Sequence, residues 1–491
     1  MRASQRWLES RLGLSELRRA LLDREVPDRL TWWHTLGSAT LAVFVVQVVT
    51  GAVLATFYAP TPDHAYDSVR YIETGVRMGR FLRGMHRWAA SFMVVLVVAH
   101  MIRVFSMGAY KYPREANWLL GVGLFVLVMG FGFTGYLLPW DQKAYWATQV
   151  GTSMAGTAPW IGAALAGLLR GGAQLGAATL TRFYALHVLW LPALLMGLVL
   201  LHLALVVRQG IAPRTAVLEE GAPTRTSEEG YDEYYRERYQ QSKRAGTRFW
   251  PDIIAKDVIV ATGVIVLIAI LAAALGAGLE APADPTDTSY VPRPEWYFLP
   301  IFQLLTLVPG EWESAVAIGV PGALVVALLA LPFLDSSSRR NLRHRPVALA
   351  TLVLLLGGSG LLVGGAIRAD VGRARPEPDG VVLTSVQRAG RALFAQQQCG
   401  SCHVVRGEGG DEGPDLTEVG LHRSAAWLHS FIEQPKRFHP DSSDMPAFGP
   451  PILSHQEIEE LAQYLSILRG PAGSLAKPDI HDTFPEIPRP R

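Results

Sequence analysis

Four histidines and one cysteine motif carry the chemistry of this chain. The apolar stretch Phe81 to Phe105 holds His86 and His100, and the stretch Phe183 to Val207 holds His187 and His202. The first pair is 14 residues apart, close to four whole helical turns, so both side chains share one face about 21 Å apart. The second pair is 15 apart, which carries one histidine roughly 100° further round, a difference that a small local twist absorbs. Two such helices side by side stack two His–His pairs at two depths. Ionisable residues inside a membrane span are rare and mostly functional. Bis-imidazole ligation of haem iron is the chemistry that needs paired histidines at two depths. A hydrogen-bonded core histidine explains any one of the four, but not four at matched spacing.

The two cysteines both fall in Cys399-Gly-Ser-Cys402-His403. This is the pattern of covalent c-type haem attachment, with two thioethers to the vinyls and His403 as proximal ligand. Zinc wants four ligands, and the chain has no second cysteine pair. The same count leaves no disulfide and no cysteine-ligated iron–sulfur cluster. A methionine sixth ligand would raise the potential. Met445, in Asp444-Met445-Pro446, is the only methionine after residue 196. His422, His429 and His439 are the other candidates.

The elements around these residues follow from composition. The chain has 491 residues, is 49% hydrophobic and has a net charge of +2, with mean hydropathy +0.20. That describes a membrane protein with a soluble part and makes no case for nucleic acid. Residues 1–34 are charged and lack the apolar core of a signal peptide. The first span is therefore expected to serve as the insertion signal. Leucines at helical spacing over 4–26 predict an amphipathic surface helix.

Spans are expected near 36–57, 81–105, 118–138, 183–207, 258–279, 315–334 and 347–367. The segment 138–181 is broken by Gly, Pro and Arg and reads as short surface helices. Gly37 and Gly51 repeat the 14-residue spacing of the histidines, as do Gly121 and Gly135. They are expected to let a flat group such as haem approach the backbone. The fold class is mainly α. A transmembrane helix bundle of about seven spans, with a four-helix haem-binding core, precedes a small all-α domain. The expected divisions are 1–34 surface helix, 35–210 four-span di-haem module, 211–250 connector, 251–370 three-span module, 371–383 linker, 384–470 haem domain and 471–491 extended tail. Arginine clusters in 1–34, 208–256 and 338–345 place the N-terminus in the cytoplasm. Seven spans then put the C-terminal domain outside, where bacteria attach c haem.

These motifs carry a resemblance. Residues 30–210, with HRWAAS at 86–91, GYLLPWDQ at 135–142 and TLTRFYALH at 179–187, resemble cytochrome b of the quinol-oxidising bc-type complexes. The bf form shares the 14 and 15 spacings. Residues 249–370, with EAPADP at 280–285 and Pro294-Glu295-Trp296-Tyr297, resemble the separate subunit IV of that form. Residues 384–470 resemble class I cytochrome c. The whole resembles a three-part fusion.

The resemblance implies two non-covalent b haems, held by His86 with His187 near the outer face and His100 with His202 near the inner face, and one covalent c haem. It implies propionate contacts for Arg83, Arg87 and Arg103. It also implies quinol oxidation at the outer face, with one electron to a high-potential acceptor, the other through the b haems to an inner quinone site, and protons translocated. Glu295 is the expected proton-handling group, with Tyr297 and Tyr145 lining the quinol pocket. Since both cysteines are used, a separate Rieske iron–sulfur protein is implied. A soluble or membrane cytochrome c, or a terminal oxidase, would take the electron onward from a complex that is a homodimer in the family. Two positions depart from the bf form. Thr35 stands where that form has a cysteine, so no third thioether-bound membrane haem is expected. Val207 stands where it has a basic residue, so the inner quinone pocket is expected to differ. The alternative function is a di-haem membrane conduit without quinol bifurcation, but such anchors lack Pro-Glu-Trp-Tyr and the subunit IV module.

Overall fold

The computed structural model describes residues 3–13, 15, 16, 18, 22–28, 30–285, 293–374, 383–406, 409, 410, 412–440, 445–470 and 480–484. They form two units, Met1–Asp284 with Leu304–Ser359, and Pro285–Gln303 with Gly360–Arg491.

The first unit is helical from its start. Helix α1 (Ala3–Leu12) opens the stretch expected as a surface helix over 4–26, residues 15, 16 and 18 are again helical, and 14, 17 and 19–21 lie outside the described residues. Gly13 turns the chain at φ +57°, a conformation open to glycine, and Glu25–Val26 is a short strand paired antiparallel with Thr247–Arg248. Helices α2 (Leu36–Ala55), α3 (Pro62–Thr74), α4 (Gly79–Ser106) and α5 (Glu115–Tyr136) follow. Next come α6 (Gln142–Gly156), α7 (Gly162–Arg170) and the long α8 (Ala177–Gln209). The unit continues through α9 (Tyr231–Arg244), α10 (Ile254–Leu275) and α11 (Gly310–Leu334) into α12 (Pro346–Ala374).

Among the described residues seven helices are long and apolar enough to cross a membrane: α2, α4, α5, α8, α10, α11 and α12. The chain is an integral membrane protein. Helix α7, at nine residues, reaches about 14 Å, half of a hydrocarbon core. It folds back on α6, where the Arg170 guanidinium donates to Thr152 Oγ1 at 2.8 Å and Ser153 Oγ at 2.6 Å. The segment 138–181 therefore adds no eighth span.

Helix α4 packs against α2 and α10, and α5 against α8. At Gly84 a Cβ would lie 3.0 Å from the Ala272 carbonyl oxygen, so α4 and α10 meet backbone to backbone. The arginine-rich segments gather at one end of the bundle. There Lys111 Nζ donates to Asp335 Oδ1 at 2.8 Å and to the Ser337 and Arg339 carbonyls at 2.7 Å. The fully buried Arg340 donates to the carbonyls of Gly108 and Tyr112, each at 2.8 Å. Asp28 pairs with Arg214 at 3.4 Å. At the opposite end the segment after α10 is clasped by Trp88, which donates to Gly276 O at 2.9 Å, and by the backbone bond Gln142 N–H to Ala281 O at 2.9 Å.

In the second unit α13 (Ser385–Gln396) and α14 (Ala425–Glu433) both pack on α15 (His455–Leu465). Thr384, Ser424 and Ser454 cap the three N-termini with their side-chain oxygens, which satisfies amides that no helical carbonyl reaches. Phe394, Trp427, Ile458, Leu461, Tyr464 and Leu468 fill the core. A Cβ at Gly390 would lie 1.9 Å from Glu460 O, so only glycine lets α13 and α15 cross there. Of the expected extended tail, 480–484 are described, and Asp482 accepts the Ser424 amide at 3.1 Å.

Candidate haem-binding sites

Within the first unit, α4 and α8 bring His86 and His187 together with ring centroids 6.3 Å apart. An iron between two imidazoles needs about 2.0 Å to each nitrogen and roughly 1.1 Å more to each ring centre, about 6 Å in all. The gap fits a ligated metal. The rings are aimed by threonines. The Thr50 hydroxyl donates to Val46 O at 2.7 Å and faces His86 Nδ1 at 2.9 Å. The Thr134 hydroxyl donates to Gly130 O at 2.9 Å and faces His187 Nδ1 at 3.1 Å. With each hydroxyl proton spent on the helix, its lone pair accepts the Nδ1–H. That tautomer leaves Nε2 free to ligate.

The spacing of 15 in α8 has a visible cause. A turn of π-helix runs Leu186–Trp190 and includes His187, at the start of the interval to His202. One widened turn takes up one extra residue, so the interval matches the 14 of α4. His100 and His202 lie within electrostatic reach of each other. His100 Nδ1 is buried without a hydrogen-bond partner among the described residues.

The four glycines each face one of the four histidines. A Cβ would sit 3.2 Å from His100 Cε1 at Gly37, 3.1 Å from His86 Cε1 at Gly51, 3.8 Å from His202 Cε1 at Gly121 and 2.5 Å from His187 Cε1 at Gly135. The expectation was contact with the haem plane. What the structure displays is the clearance that lets each imidazole lie flat against the neighbouring helix.

In the second unit Cys399 and Cys402 form no disulfide, and Cys399-Gly-Ser is a short 3-10 turn. His403 Nδ1 lies 2.8 Å from Pro414 O, which holds the proton on Nδ1 and leaves Nε2 as a ligand. A Cβ at Gly413 would fall 2.6 Å from His403 Cε1. Met445 and Cys399 pack against the same apolar cluster. Of the rival ligands, His429 stacks on His455 beside Glu433 and Glu459, and His439 packs on Phe431. The donor sets of both units therefore fit haem.

Three family models match the chain: cytochrome b/b6 over 21–210, the C-terminal part of cytochrome b/b6 over 282–368, and cytochrome c over 387–469. The menaquinol:cytochrome c reductase cytochrome b subunit of Geobacillus thermodenitrificans is 44% identical over 214 residues, 42% of this chain and 96% of that protein. The chain belongs to the cytochrome b family. Cytochrome b6 of Heliobacterium mobile is 44% identical over 208 residues, 42% of this chain and 98% of that protein. Among solved structures, a chain of a hyperthermophilic respiratory complex III covers 80% of this chain at 26% identity and TM-score 0.62, with 95% of its own length matched. This cytochrome b carries a class I cytochrome c domain in the same chain.

The arginines of the cytochrome b part differ in what they touch. Arg83 is held by Glu73 and donates to Gly278 O at 2.7 Å, and Arg87 donates to Ser91 Oγ at 3.0 Å. Arg103 has buried Nε and Nη2 atoms with no partner among the described residues, the arrangement that suits a propionate.

Glu295 and Tyr297 lie in the second unit, and Tyr145 in the first. Glu295 is 7% exposed and stands at the N-cap of the 3-10 turn Trp296–Phe298, but its side chain does not cap that turn. Tyr297 packs edge-on to Trp296 and Phe298. Tyr145 is buried between Trp140 and Trp146, and burial pushes its phenol up, keeping it a hydrogen-bond donor at neutral pH.

Sequence reasoning passed over Thr50 and Thr134. The signal was present, since both glycines of the His86–His187 level are preceded by threonine and both of the other level by leucine. It also passed over the buried charges. Burial lowers Lys111 to about 8 despite its bond to Asp335.

Proposed function

We propose that this chain is the combined cytochrome b, subunit IV and cytochrome c subunit of a quinol–cytochrome c reductase that oxidises a membrane quinol at the outer face. The observation that carries the reading is Glu295. Its side chain is buried at the head of the Pro-Glu-Trp-Tyr turn. A carboxylate so placed is suited to accept a proton from a quinol hydroxyl within hydrogen-bond reach. Tyr145 and Tyr297 would orient the quinol by hydrogen bonding or apolar contact, and the quinol would be a menaquinol, by the names of the Geobacillus and Bacillus subtilis relatives.

His86 with His187 would hold the outer b haem, His100 with His202 the inner one, and Cys399, Cys402, His403 and Met445 the c haem. When bound, the two b haems carry one electron of each quinol inward to a quinone site, and the c haem carries the other outward. Gly37, Gly51, Gly121 and Gly135 keep the neighbouring helices clear of the ligated rings. Arg103 would neutralise a propionate at the inner level, with Arg83 and Arg87 near the outer one. The chain has no cysteine left for a Rieske cluster, so a separate Rieske protein would accept the first electron and pass it to the c domain. A cytochrome c or a terminal oxidase would follow, in a homodimeric complex of the bacterial cell membrane. The N-terminus would be cytoplasmic and the c domain outside, with protons released there. The modules would divide at 35–210, 251–370 and 384–470.

The test is Glu295→Gln in the purified complex. Quinol oxidation is expected to fall by about 10²-fold or more, with all haem absorption retained. Full turnover with intact haems would sink the proton-acceptor role.

A further inference from the structure

The c domain carries a second cluster of ligating side chains, separate from the Cys399–His403 motif. His429 and Glu433 are one turn apart on α14, and His455 and Glu459 one turn apart on α15. One ligand atom from each of His429, Glu433 and His455 lies within 4.8 Å of the others. His429 Nε2 is 4.0 Å from Glu433 Oε2, and His455 Nδ1 is 3.6 Å from Glu433 Oε1. Two imidazole nitrogens and a carboxylate oxygen are the donors of a borderline divalent transition metal. In a tetrahedral site such donors stand roughly 3.3 Å apart. The exposed His455 has room to swing in by the difference.

The outer contacts match as well. His429 Nδ1 is 3.2 Å from Glu459 Oε2. A carboxylate that accepts the Nδ1–H fixes the tautomer and turns the Nε2 lone pair toward Glu433 and His455. This is the carboxylate–histidine–metal relay that orients ligands at zinc sites.

We propose that His429, Glu433 and His455, supported by Glu459, bind a zinc-class divalent cation, with water in the open position. The metal joins the end of α14 to the start of α15. These are the two ends of the segment that carries Met445, so the ion closes that segment as a loop and restrains it. The restraint on axial ligation rests on the assignment of Met445, whereas the metal site does not.

The experiment uses the full haem-loaded chain in detergent, stripped with chelator and dialysed against radiolabelled Zn²⁺. Wild type should bind about one tight equivalent that His455→Ala loses, with affinity down about 100-fold, while Glu459→Gln weakens it about 10-fold. In parallel, amide hydrogen exchange in 425–433 and 455–465 should slow on adding Zn²⁺ in wild type and not in His455→Ala. Unchanged stoichiometry and affinity in both variants would overturn the site, as would equal displacement of Zn²⁺ by Mg²⁺ at matched concentration. Equal slowing of exchange in wild type and His455→Ala would overturn the restraint. None of these readouts depends on quinol turnover, so a failure here is distinct from a failure of Glu295.

Discussion

The two histidine levels of the membrane bundle are built from the same residue types at the same spacing, yet they are finished differently. At the His86–His187 level each imidazole has a threonine on Nδ1, and Arg83 is already engaged by Glu73 and Gly278. At the His100–His202 level leucine replaces threonine before each glycine, and among the described residues His100 Nδ1 and Nε and Nη2 of Arg103 are buried without a partner. Unpaired buried polar groups cost free energy. The first level finds these partners within the protein, while at the second a bound group would supply them. Ligation and its tuning are thus separable. Paired histidines place an iron, and the groups behind them set how firmly and at what potential it is held.

The sharpest way to break this comparison is Gly135→Ala. Its Cβ would stand 2.5 Å from His187 Cε1, and a ligated ring cannot retreat. A pyridine haemochromogen assay should show b haem falling to about half, with the covalent c haem unchanged. The other glycines should follow their clearances, with Gly51→Ala and Gly37→Ala milder and Gly121→Ala silent. Gly121→Ala as harmful as Gly135→Ala would refute the clearance argument.

Next in size is the threonine support. Thr50→Val with Thr134→Val keeps the shape and removes both Nδ1 acceptors. Loss of such an outer contact costs about 10–100-fold in metal affinity. Retention of haem at the His86–His187 level during detergent dilution should drop accordingly, and the other level should hold. Equal loss at both levels would mean that the threonines only pack.

A smaller effect is expected from Arg103→Met. Removing one cation near a buried redox centre should lower the midpoint potential of the haem at the His100–His202 level by about 1–2 kcal/mol, roughly 40–80 mV for one electron. Potentiometric titration resolves the two b haems, and a shift at the other level instead would misplace Arg103.

The smallest effect concerns the scaffold at the basic end of the bundle. Glu219 accepts from the Arg340 and Asn341 amides, the latter at 2.6 Å, and faces His344 Nδ1 at 2.9 Å. Burial pushes its carboxyl up, but the two amides and His344 outweigh this and hold it below the usual range. A carboxyl depressed in the folded state contributes stability above its unfolded pKa of about 4.3 and loses it as pH falls through the lower folded value. Wild type should therefore lose more stability than Glu219→Gln between about pH 5 and 3, as read by protease nicking of the connector. Parallel profiles would remove Glu219 from that role.

Much of this was legible in the chain. Seven apolar runs became seven membrane-length helices, because a helix is the local answer to twenty apolar residues in a bilayer. The Cys-x-x-Cys-His motif is contiguous, so its chemistry needed no fold. Leucine periodicity over 4–26 did not register the left-handed turn at Gly13 or the strand at Glu25–Val26, whose partner lies more than 200 residues away.

Residue type and spacing were enough to pick out four histidines at matched intervals in two apolar stretches, a Cys-x-x-Cys-His motif after them, and seven runs long enough to cross a membrane. These are local facts, fixed by helical period and hydropathy. Tertiary structure alone decided which histidine faces which glycine, that a π-turn reconciles 15 with 14, and that Thr50 and Thr134 rather than any charged group aim the His86–His187 pair. It also decided that Lys111 and Arg340 are buried to bind the loops together. The reason is physical: each depends on distances of a few ångströms between helices far apart in sequence, and those distances are set only when the whole bundle packs.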